Sequence, residues 1–165
     1  MARDSGARLL DAGDTFPDFQ LSLVDGGRLS LPAELTRPFN AVLVNRGAFC
    51  PYCIAQLRGF QASLAKLGAE GIGVVSFSAD SVESARKVVR ENGLEFPIGY
   101  GASVRDAARV LGVYYDMGQT PYLQSAGFIV NSSGKILTAV YSAGPLGRLL
   151  AQDVLGFVQY VKAHT

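Results

Sequence analysis

Apolar positions along this chain follow two rhythms. Phe19-Gln20-Leu21-Ser22-Leu23-Val24 and Arg28-Leu29-Ser30-Leu31 alternate on either side of Asp25-Gly26-Gly27. That pattern predicts a β-hairpin, with glycines where a tight turn needs them. Two continuous apolar runs, residues 40–45 and Ile72-Gly73-Val74-Val75-Ser76-Phe77, predict buried strands. Between them the spacing turns helical. Ile54, Leu57, Phe60, Leu64 and Leu67 recur every three or four residues and predict a helix from about Pro51 to Lys66, ended by Gly68 and Gly71. Gly59, inside that stretch, predicts a bend or a close contact. Asp80-Ser81-Val82-Glu83 fits a capped start for a helix that buries Val82, Ala85, Val88 and Val89 and stops at Asn92-Gly93.

Downstream, Phe96-Pro97-Ile98-Gly99-Tyr100 reads as a short extended piece, with Pro97 favouring an edge or a strand end. Residues 103–112 predict a helix with Ala107, Val110 and Leu111 inside. Gly127-Phe128-Ile129-Val130 and the run from Ile136 to Tyr141 flank Asn131-Ser132-Ser133-Gly134 as a second hairpin. A last helix is expected from about Gly147 to Lys162, on a stripe of Leu150, Val154, Phe157, Val158 and Val161. Residues 1–15 read as a loose leading segment, and Pro32 and Pro38 bracket a connection with room for one helical turn. The alternating middle implies parallel strands and the closing hairpin antiparallel ones. The expectation is a single α/β domain spanning residues 1–165: one central mixed sheet flanked by helices, opened by an N-terminal hairpin.

Composition narrows the function classes. With 165 residues, 48% hydrophobic and 18% charged, the chain can bury a sizeable core. A formal charge of +1 recommends neither nucleic acid nor an anionic membrane as a partner. No run approaches a membrane span, and Met1 to Gly6 show no signal-peptide core. A cytoplasmic protein is the default expectation, and in that reducing compartment a cysteine pair is more often catalytic than structural.

The chain's two cysteines, Cys50 and Cys53, enclose Pro51-Tyr52 at a predicted strand-to-helix junction. Such a pair reads as a thiol–disulfide redox centre. The reactive species is the thiolate, and the unpaired N–H groups and dipole of a helix N-terminus favour it. An ordinary cysteine with a pKa of about 8.5 is only ~3% ionised at neutral pH. Pro51 suits a first helical turn. Cys50 is then expected to be the exposed nucleophile and Cys53 the more buried resolving thiol. A structural disulfide and a zinc site are the alternatives. So short a loop gains little from a bridge, and zinc needs four ligands while the sole histidine, His164, is next to the C-terminal residue. No cofactor is expected. Arg46, four residues before Cys50, is placed to supply positive charge, against a solvated strand-end arginine as the bland reading. Tyr52, with Tyr114, Tyr115 and Tyr122, could make a contact face for a partner, against packed core or rim.

Several segments, taken in order, resemble the AhpC/TSA (redoxin, peroxiredoxin-like) branch of the thioredoxin fold. Phe16-Pro17-Asp18-Phe19 with Asp25-Gly26 is similar to that family's opening hairpin. Phe77-Ser78-Ala79-Asp80-Ser81 looks like its second strand turning into a helix. Phe128-Ile129-Val130-Asn131 with Gly134-Lys135-Ile136 looks like its closing hairpin. The resemblance implies a peroxiredoxin-like thioredoxin fold. It also implies an antioxidant oxidoreductase that reduces peroxides through a Cys50/Cys53 dithiol–disulfide cycle and is recharged by a thioredoxin- or glutathione-type reductant. The departures open alternatives. The family's P-x-x-x-T/S-x-x-C, aligned on Cys53, has Arg46 at the Pro and Cys50 at the Thr, and its supporting Arg falls near Ser125. Cys-Pro-Tyr-Cys is similar to the glutaredoxin signature, over four residues only. Thioredoxin's buried acid would fall on Val44, and Pro121 is a candidate for the cis-proline that faces the cysteines in that fold. A thioredoxin-like protein disulfide oxidoreductase and a non-catalytic redox sensor therefore stand beside the peroxidase reading. Cys53 as the attacking thiol stays open.

Overall fold

The computed structural model describes residues 7–165. Its elements, in order, are β1 (Phe19–Leu23), β2 (Arg28–Leu31), β3 (Phe39–Val44), α1 (Pro51–Ala62), α2 (Leu64–Ala69), β4 (Ile72–Phe77), α3 (Val82–Asn92), β5 (Ile98–Tyr100), α4 (Val104–Leu111), β6 (Tyr115–Asp116), β7 (Tyr122–Leu123), β8 (Ala126–Asn131), β9 (Ile136–Tyr141) and α5 (Ala151–Ala163). Seven strands form one mixed sheet in the order β2-β1-β5-β4-β3-β8-β9, and β6 and β7 form a separate two-stranded ribbon. The ribbon was not legible in the sequence. Strands β3 and β4 run parallel, and β8 runs antiparallel to β3 and to β9.

The pleat of β3 divides the core. Ala41 and Leu43 face a cluster with Leu57 and Phe60 of α1, Val88 of α3 and Val154 of α5. Val42 and Val44 face the opposite cluster, with Phe16, Phe77, Phe128 and Leu111 of α4. Period-two alternation with both faces apolar is what a covered central strand requires, and it explains the unbroken apolar run in the sequence.

Helix α3 starts as its sequence suggests. Ser81 caps it by accepting the Ser84 N–H, and Gly93 ends it in the left-handed conformation. The expected helix from Pro51 to Lys66 is two helices that break at Ser63. Gly59 makes no close contact, because a side chain there would meet open space. The last helix begins at Ala151, so residues 147–150 are loop and Leu150 is 40% exposed rather than part of the stripe. Pro32 to Pro38 is a turn without helix, with a cis Leu31–Pro32 bond. Pro97 stands just before β5, which lies inside the sheet between β1 and β4.

Residues 1–6 of the expected loose segment lie outside the described residues. Residues 7–15 contain no helix or full strand, yet they are pinned. Gly13 N–H donates to Ile136 O at 2.8 Å, and Leu10 N–H to the Tyr141 hydroxyl at 2.9 Å. Among the described residues no helix is long and apolar enough to cross a membrane.

Candidate active site

The sheet gathers the site at one end. β3 leaves the sheet at Val44, which pairs with Phe77 of β4 and with Ala126 of β8, and Ala126 in turn pairs with Tyr141 of β9. Residues 45–53, 78–80, 122–125 and 142–149 therefore meet beyond the same strand ends, three of them carboxyl ends, where open α/β sheets place their ligands.

The chain turns there at Gly47, whose φ of +138° L side chains rarely adopt. Cys50 follows as the extended N-cap residue of α1, with Pro51 at its first position. The Cys53 N–H donates to the Cys50 carbonyl at 3.1 Å and lies close enough to the Cys50 sulfur to favour its charge. The two sulfurs are not bonded to each other in this structure.

Two guanidiniums converge on Cys50. Arg46 Nη1 donates to its Sγ at 3.4 Å, and Arg148 Nη2 does so at 3.6 Å. Arg46 is held by Gln124 Oε1 at 3.0 Å and the Tyr122 hydroxyl at 3.4 Å, and lies 5.4 and 5.2 Å from the ring centres of Phe49 and Tyr122. Its backbone N–H donates to Cys53 Sγ at 3.3 Å. Arg148 reaches in from the loop between β9 and α5. Its Nε is held by Pro145 O and its Nη1 by Gln56 Oε1, both at 2.8 Å. Gln56, itself buried, donates to Leu149 O at 2.8 Å and accepts from Asn45 Nδ2 at 3.3 Å.

The sequence profile of the AhpC/TSA family matches residues 12–139. The chain belongs to the AhpC/TSA family. Solved structures of similar fold include peroxidoxin BcpB from Mycobacterium tuberculosis, 18% identical, with a TM-score of 0.75 over 94% of this chain and 99% of that one. The thiol peroxidase from Chromobacterium violaceum is 14% identical, with a TM-score of 0.81 over 99% and 94%. A peroxiredoxin-like protein from Aquifex aeolicus is 18% identical, with a TM-score of 0.78 over 94% and 90%. These likenesses establish a peroxiredoxin-like thioredoxin fold. No curated protein matches the chain significantly.

Within this AhpC/TSA chain the two thiols are electrostatically unlike. Burial opposes the charge on Cys50. The Cys53 N–H, Arg46, the Cys53 thiol and Arg148 outweigh it and hold Cys50 below the ordinary thiol range. Burial pushes the Cys53 thiol up, and Arg148 and the Arg46 N–H only partly offset that. Geometry corrects one expectation, because Cys50 is 0% exposed and Cys53 1%. Cys50 is therefore not an open nucleophile in this arrangement; its sulfur is buried with both guanidiniums in hydrogen-bond contact.

Of the other residues singled out from sequence, Arg46 is in contact with Cys50. Tyr52 is half exposed between the cysteines, and Tyr122 rather than Tyr52 touches Arg46. Pro121 is exposed, and the one cis peptide bond among the described residues is Leu31–Pro32, so the Thr120–Pro121 bond is trans. Ser125, where the family's supporting arginine falls, is buried, and Arg148 brings a charge from another loop. His164 stacks on Tyr160 at the far end of α5. Sequence reasoning missed Arg148, Gln56 and Gln124. Gln56 did leave a signal, a polar residue three after Cys53 on a helix with an apolar stripe. Arg148, 98 residues from Cys50, left none.

Proposed function

We propose that this protein is a thiol-dependent peroxide reductase in which Cys50 attacks and Cys53 resolves. The observation that carries this reading is the convergence of Arg46 and Arg148 on the Cys50 sulfur, with a second thiol one helical turn away. The cationic pair favours the thiolate, and guanidinium N–H groups beside the sulfur are suited to a peroxide's oxygens, a task that a Thr hydroxyl performs in the family pattern.

In the cycle, the Cys50 thiolate attacks one peroxide oxygen and the O–O bond breaks. Cys50 becomes a sulfenic acid, and the leaving alkoxide or hydroxide takes a proton to give alcohol or water. Cys53 then attacks the sulfenic sulfur, forming the Cys50–Cys53 disulfide and releasing water. A thioredoxin- or glutathione-type thiol returns both cysteines to the reduced state. Protein disulfide exchange is the second reading. The intact C-x-x-C pair on one helical turn favours it, because the same Cys50 thiolate can attack a disulfide sulfur.

The test is the rate at which the reduced protein consumes hydrogen peroxide, alongside C50S and C53S. The expected result is a rate far above that of a free thiol, abolished in C50S. C53S should keep the first turnover and stop with one oxygen added to Cys50. A rate no better than free thiol would leave disulfide exchange as the function, and loss of the first turnover in C53S alone would reverse the roles of the cysteines.

A further inference from the structure

A small cleft lined by Cys53, and by no arginine, runs between α1, α3 and the ends of β4 and β5. It has room for about 20 Å³, on the scale of one water. Cys53 and Asp80 are the only titratable groups among its lining residues. The remaining polar lining is Asn45, Ser76 and Ser78, and the walls from α3 and β5 carry no charge, being Ala85, Val88, Ile98 and Gly99. Asp80 accepts the Ala48 N–H at 2.8 Å, and a Cβ on Gly47 would come within 2.6 Å of its Oδ1, so the carboxylate is held against the loop that leads into Cys50. Charged groups near Cys53 outside the cleft are Cys50, Arg148 and Arg46, whose backbone N–H reaches Cys53 Sγ at 3.3 Å and whose guanidinium lies on Cys50.

A carboxylate held in a half-enclosed, water-sized space with a thiol is arranged to exchange a proton with it. Asp80 is more than the anchor of the Gly47–Ala48 turn, since an uncharged amide oxygen could accept the same N–H. Burial also pushes its carboxyl above the ordinary range, against the Ala48 N–H and Ser78, which makes it a better proton acceptor than a solvated carboxylate.

We propose that Asp80, through a water in this cleft, is the proton acceptor for Cys53. The inference rests on the dithiol cycle proposed above. The Cys53 thiol gives its proton to the Asp80 carboxylate. The thiolate then attacks the Cys50 sulfenic sulfur, forming the S–S bond and expelling hydroxide. The hydroxide takes a proton from solvent at the Cys50 side and leaves as water, and the Asp80 carboxyl gives its proton back to solvent through the cleft, which restores the carboxylate. No oxidant beyond the peroxide already consumed enters this step. In the reverse direction, when a reductant thiolate opens the disulfide at Cys50, the same carboxyl supplies the proton that Cys53 takes up on leaving. This acid lies after β4, not at Val44, where the thioredoxin pattern points.

The test compares the wild-type chain with D80N, which keeps an acceptor for the Ala48 N–H. After one equivalent of hydrogen peroxide, quenched samples are treated with dimedone to count sulfenic acid by intact mass, and the disulfide is counted in parallel across pH. In D80N the conversion of sulfenic acid to disulfide should slow at least tenfold more than its formation does, and should climb with pH more steeply than in the wild type. Equal partitioning and the same pH profile in both proteins would overturn the proposal.

A second measurement stands apart from the peroxide reading. In C50S the rate of iodoacetamide alkylation against pH, counted by intact mass, reports the ionisation of Cys53 alone. A carboxylate that reaches the thiol through the cleft disfavours its ionisation, so C50S/D80N should ionise at lower pH than C50S by half a unit or more. Coincident titrations would overturn the assignment of Asp80, whether or not the protein reduces peroxides.

Discussion

Replacing Arg148 with Met isolates the charge that sequence could not place. Met keeps much of the stem's volume and removes the guanidinium 3.6 Å from Cys50 Sγ. At that separation a cation and a thiolate attract by about 1 kcal/mol in bulk water, and by about 5 kcal/mol at an effective dielectric of about 20. Arg148 is half-buried, so its contribution lies between these limits. Arg46 remains beside the sulfur at 3.4 Å, so the thiolate is weakened rather than abolished. The lower limit alone is worth about fivefold in thiolate population wherever Cys50 is not fully ionised. The assay is single-turnover peroxide consumption against pH, in C53S and C53S/R148M, with thiolate absorbance on the same samples. Removing the cation should move the ionisation of Cys50 to higher pH and cut the rate at least fivefold at pH values where Cys50 is mostly protonated, with recovery as pH rises. R148K should retain most of the electrostatic effect but lose the fork that holds Gln56 and Pro145. An ionisation that does not move in R148M, together with a rate within twofold of the parent, would refute the idea that this arginine sets the state of the sulfur.

Two further outcomes follow from other parts of the molecule. G47A should lower the urea midpoint by the equivalent of about 1–3 kcal/mol, because alanine is strained at a φ of +138° and its Cβ meets Asp80; an unchanged midpoint would contradict the described turn. Tyr141 donates to Leu111 O at 2.6 Å, and burial pushes its phenol up to about 12 from an ordinary value of 10.0, so its neutral form is the one the fold favours. The sign follows: stability from Tyr141 is complete below pH 10, declines as pH rises from there, and is lost through about 12. Y141F should flatten that alkaline decline in urea-unfolding measurements, and an equally steep decline would show that Tyr141 does not cause it.

What could be read from the chain was what neighbouring residues decide. β3 and β4 are buried on both faces, so their runs are apolar throughout, and Gly93 closes α3 by a conformation few other residues adopt. The break at Ser63 was hidden because Leu64 and Leu67 continue the stripe across it, both helices packing on the same cluster. Leu150 fitted the helical spacing yet caps α5 from outside. The same division holds in the site. Cys50, Cys53 and Arg46 lie within eight residues of one another, and their spacing carried their chemistry. Arg148, Gln124 and Asp80 come to the cysteines only because β4, β8 and β9 return the chain to the end of the sheet where β3 stops. That is a property of strand order and register, which no local window contains. Pro121 failed for the converse reason: its chemistry was plausible, but it sits at the end of the exposed turn, residues 117–121, that joins β6 to β7.

Strand β5 has a consequence for how the molecule comes apart. It is three residues long, and β1 joins it at Ser22–Tyr100 and Leu23–Gly99 alone, while β4 joins it at Ser76–Ile98 and Phe77–Gly99. Across the rest of the sheet, β3 is zipped along its whole length to β4 and to β8. The opening hairpin is thus joined to the sheet by a short ladder, and it is held mainly by Leu21, Leu23 and Leu31, buried in the same cluster as Val44 and Phe77. Releasing this hairpin uncovers Leu21, Leu23 and Leu31 and so opens the cluster that backs the end of β3; its amides are expected to exchange together with those of the central strands, although the sulfurs lie elsewhere.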